Sequence, residues 1–345
     1  MDAMEKKTVL VTGGLGYIGS HTSVELISEG FDVIIVDDLS NAEKLMLDRI
    51  EEITSVRPLF YEKNLCDEKA VQQIFAAHKI DVVIHFAASK SVGESVKKPL
   101  LYFRNNLTSL MNVLQSMQDN KVENLIFSSS ATVYGQPELL PVTEETPFQK
   151  ALSAYGSTKQ IGEEILEKVT ATGTIQNISL RYFNPVGAHS SGLIGKLPKG
   201  IPNNLFPYVM QTATGKLPQL TVFGNDYDTP DGTCLRDYIH VVDLAKAHVQ
   251  ACKRLLQQKN QSAFEVFNLG TGNGVSVLQI LDGFEKIAGK KLNYKIGPRR
   301  KGDAAAVYAD TTKANKLLGW KAELGLEEMI NSSWKWQLSL DQPKQ

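Results

Sequence analysis

The sequence predicts an α/β fold, a doubly wound parallel sheet with a smaller C-terminal domain. Residues 8–12 (Thr-Val-Leu-Val-Thr) are β-branched and apolar, and they lead through a glycine cluster into a helical stretch over 18–29. The same alternation recurs, with strands predicted over 32–36, 81–86 and 124–128 and helical stretches between them. Because parallel neighbours need crossover connections, strands that alternate with helices indicate a parallel sheet.

Chain length and local composition predict two domains. At 345 residues the chain exceeds the usual single-domain range, so two lobes with a cleft between them are expected. We assign 1–184 to the domain that holds the sheet and 185–345 mainly to the second domain, because loops rich in Gly, Pro and Asn follow, as in 192–204. Helical segments near 241–260 and 275–290 are expected to return to the first domain.

Composition argues against several classes of partner. A net charge of −1 gives no broad positive field, so nucleic acid is not expected as a partner. The three cysteines (Cys66, Cys234 and Cys252) are widely spaced, which fits a reducing compartment and predicts neither a disulfide framework nor a metal site. No apolar run approaches the roughly 18 residues of a membrane span, so we expect a cytoplasmic protein without a membrane partner.

A glycine-rich loop joins the first predicted strand to the first helix. Its sequence over 13–19, Gly-Gly-Leu-Gly-Tyr-Ile-Gly, satisfies both the G-x-x-G-x-x-G and the G-x-G-x-x-G patterns. Glycine permits the tight turn and lets backbone N–H groups approach a pyrophosphate, while the helix N-terminus adds partial positive charge. The loop therefore predicts a Rossmann-like dinucleotide site, with Gly13, Gly16 and Gly19 against the cofactor.

The acidic residue after the second strand distinguishes the two nicotinamide dinucleotides. Asp37 lies 18 residues beyond Gly19, where a carboxylate accepts hydrogen bonds from the adenosine ribose hydroxyls. Asp38 follows, and no Arg or Lys occurs between Asp38 and Lys44. A 2′-phosphate would be repelled there, so the sequence favours NAD over NADP.

A tyrosine and a lysine carry the predicted chemistry. Tyr155 and Lys159 are four residues apart in a helical segment, so they share one face. The strand before them ends in Ser128-Ser129-Ser130, at the sheet edge where ligands bind. An ordinary tyrosine has a pKa of about 10, so it needs a nearby positive charge to act as a base. We predict that Tyr155 is the acid/base, helped by Lys159 and the positive nicotinamide, and that Ser130 orients the substrate.

Beyond these motifs, the chain resembles the UDP-glucose 4-epimerases, a family of the extended short-chain dehydrogenase/reductase type. The resemblance runs from the first strand almost to the C-terminus. Its blocks are 11–14, 16–21, 85–88, 92–95, 128–135, Tyr155 with Lys159, 181–189, 200–205, 223–227, 236–240, 298–300 and 302–303.

The resemblance implies a set of cofactor contacts on the first domain. Lys90 is expected near the cofactor phosphates, where its charge would strengthen retention of a tightly bound NAD. Asn64 departs from the family, which more often has an aspartate near the adenine ring. This difference concerns only the local affinity for the adenine ring. The implied cofactor contacts are Gly13, Gly16, Tyr17, Ile18, Gly19, Asp37, Asn41, Asn64, Leu65, Phe86, Ala87, Lys90, Asn105, Tyr155, Lys159 and Tyr182.

The resemblance also implies a UDP-sugar-binding second domain. Arginine side chains can form bidentate hydrogen bonds to diphosphate oxygens, and an aromatic ring can pack against uracil. A carboxylate can accept hydrogen bonds from the ribose hydroxyls. A residue four positions after the ribose-binding aspartate is implied to flank the sugar 2-substituent, and here it is valine, which leaves room for an N-acetyl group. The implied substrate contacts are Ser130, Thr132, Tyr155, Asn184, Asn204, Leu205, Phe223, Arg236, Arg300, Asp303 and Val307.

The implied reaction inverts C4 of a UDP-hexose through a transient 4-keto sugar, with Tyr155 moving the proton. A homodimer is also implied, with helices near 100–118 and 153–170 at the interface. Apolar positions at 107, 110, 111 and 114 recur at helical spacing, which a buried face within one chain explains equally well.

Three alternative functions remain open at this stage. A 4,6-dehydratase or a decarboxylase of the same fold would need carboxylates after the catalytic strand, where this chain has Ala131 and Thr132. A non-catalytic NAD-sensing protein would usually lack the Tyr155–Lys159 pair. A plain alcohol dehydrogenase would release free NADH.

Overall fold

The computed structural model describes residues 6–197, 200–300 and 303–341. Its strands are β1 (Thr8–Thr12), β2 (Asp32–Asp37), β3 (Leu59–Glu62), β4 (Val82–His85), β5 (Asn124–Ser128), β6 (Gln176–Tyr182), β7 (Asn184–Val186), β8 (Leu220–Phe223), β9 (Leu235–His240), β10 (Phe264–Leu269), β11 (Gly274–Ser276), β12 (Tyr294–Gly297) and β13 (Ala306–Val307). Its α-helices are α1 (Tyr17–Ser28), α2 (Leu45–Thr54), α3 (Glu68–Ala77), α4 (Val92–Lys97), α5 (Pro99–Asp119), α6 (Ala154–Thr170), α7 (Leu205–Ala213), α8 (Val241–Leu256), α9 (Val277–Ala288) and α10 (Leu326–Asp341).

Seven of the described strands form one parallel sheet in the order β10-β6-β5-β4-β1-β2-β3. Val11 of β1 lies opposite Ile35 of β2 and Ile84 of β4, so the central strands are in close register. The strand order reverses between β1 and β4, and a crevice for ligands opens at such a switch point, outside the carboxyl ends of the strands. The predicted doubly wound sheet is confirmed.

Two apolar cores cover the faces of this sheet. Successive strand residues point to opposite faces, so Val11 faces the core that contains Val24 of α1, whereas Leu10 faces the core that contains Leu110 of α5. Leu244 of α8 belongs to the first of these cores. The segment near 241–260 therefore packs on the large sheet, and β10 follows it as the strand beside β6.

A third core defines the second lobe. Phe206 of α7, Leu220 of β8, Phe284 of α9 and Ile330 of α10 pack together there. The expectation that 275–290 returns to the first domain is wrong, because the apolar face of α9 is buried against α7 and α10 instead. The division of the chain at residue 184 otherwise stays a prediction.

A smaller sheet links the lobes, with β9 paired to β7, β11 and β13. Strand β9 runs directly into α8, so residues on β9 are held close to the large sheet. Across the described parts of the chain, every helix is too short or too polar to cross a membrane.

Candidate active site

The glycine loop turns tightly at the start of α1. Gly13 has a φ of +67°, and a Cβ there would lie 2.8 Å from the Ala87 nitrogen. A Cβ on Gly19 would lie 2.3 Å from the Gly13 oxygen. Gly16 provides the N-cap of α1 without a side-chain cap, so the first turn keeps N–H groups for an external anion. The loop therefore fits a dinucleotide pyrophosphate.

Asp37 is fixed at the carboxyl end of β2. Its Oδ2 accepts a hydrogen bond from the Leu15 N–H at 3.2 Å, and its Oδ1 accepts one from the Leu39 N–H at 3.0 Å. Burial raises the pKa of Asp37, and these two backbone donors act in the opposite direction. The carboxylate thus stays in place beside the glycine loop, where a ribose would lie.

The other predicted cofactor residues follow the carboxyl ends of β1 to β4 or lie on α5. Asn64 is exposed and donates to Asp38 Oδ2 at 3.2 Å, so it lies at the same edge as Asp37. Asn105 of α5 donates to Ser89 Oγ at 3.2 Å, which places it beside the loop after β4. The remaining positions are Tyr17, Ile18, Asn41, Leu65, Phe86, Ala87 and Lys90, of which Asn41 and Lys90 are exposed and Leu65 is buried.

Tyr155 and Lys159 share the buried face of α6, as predicted. Ser153 caps this helix by accepting a hydrogen bond from the Gly156 N–H at 3.1 Å. The Lys159 Nζ donates to the Ser128 carbonyl at 2.5 Å and lies 5.9 Å from the centre of the Tyr155 ring. The ammonium is therefore held by the end of β5 rather than by the phenol itself.

The pKa values of this pair depend mainly on burial. Burial raises the pKa of Tyr155 to about 12, while a hydrogen bond from Ser130 acts to lower it. Burial lowers the pKa of Lys159 to about 8, and the Glu163 carboxylate acts to raise it. Burial and the Ser130 hydrogen bond are therefore the main influences on the Tyr155 pKa in this structure, and Lys159 is not among them.

Ser130, the serine predicted to orient the substrate, lies two residues beyond the end of β5. Ser130 Oγ accepts a hydrogen bond from the Thr132 N–H at 3.2 Å, and the Ser130 side chain is also hydrogen-bonded to Tyr155. Beneath them, Ser128 Oγ and the Tyr182 hydroxyl are 2.5 Å apart, which places Tyr182 at the same edge. The Thr132 hydroxyl oxygen is buried without a hydrogen-bond partner within the described ranges, so it can accept or donate to a sugar hydroxyl.

A buried polar network behind the site was missed by the sequence reasoning. Glu163 accepts hydrogen bonds from Ser129 Oγ at 2.5 Å and from Arg181 Nη2 at 2.5 Å. Arg181 also donates to the Tyr134 hydroxyl at 2.9 Å. This network fixes the serine loop and sets a negative charge near Lys159. The available signal was spacing, since Glu163 follows Lys159 by four residues on the same helix face.

Four of the predicted substrate residues come together in the second lobe. Asp303 accepts hydrogen bonds from Arg300, with Nη2 to Oδ1 at 2.8 Å, and its Oδ1 lies 4.0 Å from Arg236 Nη2. The Arg300 guanidinium lies 5.6 Å from the centre of the Phe223 ring, which is 43% exposed. This set offers two cations, a carboxylate and an open aromatic face, the groups that a uridine diphosphate requires.

The other predicted substrate residues in this part of the chain lie on β7, at the start of α7 and on β13. Asn184 donates to the Asp237 carbonyl at 3.1 Å, which ties it to β9. Asn204 is the N-cap of α7, directly before Leu205, but its side chain does not cap the helix. Val307 is half-buried on β13, opposite Arg236 in register, and packs against the core around the catalytic turn.

Comparison with known proteins gives the family. The family model described as GDP-mannose 4,6 dehydratase matches residues 10–333. A UDP-glucose 4-epimerase of Bacillus subtilis is 52% identical over 332 residues, which cover 96% of this chain and 97% of that protein.

Solved structures give the same result. A UDP-glucose-4-epimerase from Stenotrophomonas maltophila with bound NAD and formylated UDP-arabinopyranose has a TM-score of 0.94 and 48% identity, covering 97% of this chain and 99% of that one. A UDP-glucose 4-epimerase from Bifidobacterium longum in complex with NAD+ and UDP has a TM-score of 0.91 and 50% identity, covering 96% of this chain and 98% of that one.

The doubly wound sheet, the glycine loop and the Tyr155–Lys159 pair define an enzyme of the extended short-chain dehydrogenase/reductase class. Within this class, the chain belongs to the UDP-glucose 4-epimerase family, since relatives of about 50% identity match nearly its whole length.

Proposed function

We propose that the chain catalyses the reversible C4 epimerisation of UDP-glucose and UDP-galactose through a transient 4-keto sugar. The observation that carries the proposal is the hydrogen-bonded Tyr155–Ser130 pair, with Lys159, beside the glycine loop. NAD, held by the glycine loop and Asp37, supplies the hydride acceptor and donor. The chain is accordingly an NAD-dependent enzyme whose cofactor stays bound between turnovers.

In this proposal, the protein residues move one proton and hold the substrate. Tyr155 takes the proton of the sugar 4-hydroxyl and later returns it, while Ser130 orients the reacting oxygen. Lys159 holds positive charge near the phenol. Arg236 and Arg300 hold the diphosphate while the keto sugar turns its other face towards the cofactor.

The residues after Ser130 favour epimerisation over elimination of water. A dehydratase needs a further acid/base pair, and the positions after Ser130 are Ala131 and Thr132, which carry no carboxylate. Elimination therefore lacks its acid and its base, although the matching family model bears a dehydratase name.

The direct test is to incubate the purified protein with UDP-galactose and no added NAD. Formation of UDP-glucose, without accumulation of free NADH, is the expected result. A net yield of NADH would indicate a dehydrogenase, and an unsaturated product would indicate a dehydratase. Absence of any product from NAD-loaded protein would refute the proposed activity.

The sugar cavity should also accept N-acetylated substrates. Val307 is half-buried beside the catalytic turn, and a valine leaves space that a tyrosine would fill. We expect activity on UDP-N-acetylgalactosamine, and we expect Val307→Tyr to lose it about ten- to a hundredfold while keeping UDP-galactose. Rejection of the N-acetylated substrate by the natural chain, or equal loss of both activities in the variant, would contradict this role.

A homodimer that resides in the cytoplasm completes the proposal. Leu110 and Leu114 of α5 are buried within the chain, so they do not indicate a partner. Leu100, Leu101 and Met111 of the same helix are 73%, 49% and 49% exposed, and α5 packs beside α6. An interface formed by these two helices would cover them, and sedimentation showing only monomer at micromolar concentration would contradict it.

A further inference from the structure

Lys196 is a cation between the starts of α1 and α7, and it belongs neither to the glycine loop nor to the arginine pair. Its Nζ donates to Asn204 Oδ1 at 3.0 Å and lies 5.5 Å from the centre of the Tyr17 ring. Tyr17 begins α1, and Asn204 is the N-cap of α7. The ammonium therefore lies between two helix N-termini, one in each lobe.

The backbone around Lys196 is anchored. The Trp336 Nε1–H of α10 donates to the Lys196 carbonyl at 3.0 Å, and a Cβ on Gly195 would lie 2.5 Å from the Trp336 ring. His189 donates its N–H to the Ile194 carbonyl at 3.1 Å, and Ile194 is fully buried. The side chain of Lys196 is therefore presented from a fixed support.

The electrostatic surroundings of Lys196 favour an anion. Within the ranges that the structure describes, Lys196 pairs with the Asn204 amide oxygen and forms no salt bridge, whereas Lys90 interacts electrostatically with the Asp37 carboxylate. Burial lowers the pKa of Lys196 to about 7, and the positive charge of Lys90 adds to that effect. The Lys196 ammonium, repelled by Lys90 and hydrogen-bonded at the uncapped N-terminus of α7, lies where a diphosphate would be stabilised.

We propose that Lys196 binds the diphosphate of the UDP-sugar at the N-terminus of α7, together with Asn204. The contact with Tyr17, the first residue of α1, places this ammonium beside the glycine loop that is predicted to hold the cofactor. Lys196 is thus a further binding residue for the reaction. This inference rests on the proposed function, because that function supplies the diphosphate.

The test compares UDP with uridine, which has no phosphate, on NAD-loaded protein by calorimetry or competition. Lys196→Met should weaken UDP binding about tenfold or more, which corresponds to about 1.4 kcal/mol or more, and should leave uridine binding within twofold. Lys196→Arg should restore most of the UDP affinity. Added salt should weaken UDP binding less in Lys196→Met than in the natural chain.

A matched control is Lys246→Met, which removes an exposed lysine of α8 whose ion pair with Glu323 is 3.6 Å long. It should change neither affinity. The bound NAD, released by heat and measured by absorbance, should be equal in all variants. Each of three results overturns the proposal: unchanged UDP affinity in Lys196→Met, equal loss of UDP and uridine, or loss of NAD alone. Failure of the natural chain to bind UDP would instead refute the proposed substrate.

Discussion

Replacement of Tyr155 by phenylalanine is the sharpest test of the chemistry. The side chain is 8% exposed and the substitution removes a single oxygen, so packing is preserved. Ser130 Oγ keeps its contact with the Thr132 N–H at 3.2 Å. We therefore expect a change in the free energy of unfolding of only about 0.5–1.5 kcal/mol, the usual contribution of one hydrogen bond.

The effect of Tyr155→Phe on turnover should be far larger. A positioned acid/base contributes about 100- to 10,000-fold, which corresponds to ~2.7–5.4 kcal/mol of activation free energy. The structure supports the upper part of this range, because Tyr155 is 8% exposed and leaves little room for a water molecule to replace the phenol. Ser130→Ala, which removes only the orienting hydroxyl, should cost less.

The assay follows UDP-galactose conversion at saturating substrate, together with bound NAD and the thermal midpoint. We expect kcat to fall at least 100-fold while NAD and the midpoint stay close to those of the natural chain. A kcat within tenfold of the natural value, in a variant that keeps its NAD, would refute the role of Tyr155. Loss of NAD would indicate a structural effect of the substitution.

Three further substitutions test Lys159, its neighbour Glu163 and the glycine loop. Burial lowers the pKa of Lys159 to about 8, and the Glu163 carboxylate opposes that shift. Glu163→Gln should therefore lower the Lys159 pKa further and move the alkaline limb of the pH profile of kcat to lower pH. An unchanged alkaline limb in folded protein would contradict this. Lys159→Met should lower kcat and weaken NAD retention, as measured by gel filtration. Gly19→Ala should lose NAD, since its Cβ would lie 2.3 Å from the Gly13 oxygen, whereas Gly93→Ala, with nothing within 4 Å, should keep it.

Short sequence patterns predicted the features that depend on residues close together in the chain. The glycine loop could be recognised because its glycines lie within 13–19, directly between a predicted strand and a predicted helix. Tyr155 and Lys159 could be paired because helical spacing alone puts them on one face. The alternation of strands and helices likewise predicted the parallel sheet.

Contacts between distant segments could not be predicted in this way. Helix α9 has an apolar face that suits either lobe, and only the positions of α7 and α10 decide where it is buried. The Lys159 ammonium was expected to act directly on Tyr155, but it is held by the Ser128 carbonyl, 31 residues away in sequence. The Glu163–Arg181 pair likewise joins α6 to β6, and the spacing of Glu163 from Lys159 does not reveal Arg181 as its partner.

The path of the chain between the lobes determines whether either half can exist alone. A fragment that ends at residue 184 keeps β1 to β6 but loses β10, which pairs with β6 from Asn177 to Tyr182. It also loses α8, which packs against α1, so an apolar face and an unpaired strand edge would both meet solvent. Such edges promote aggregation. The first half therefore depends for its solubility on α8 and β10, both of which follow residue 184 in the chain.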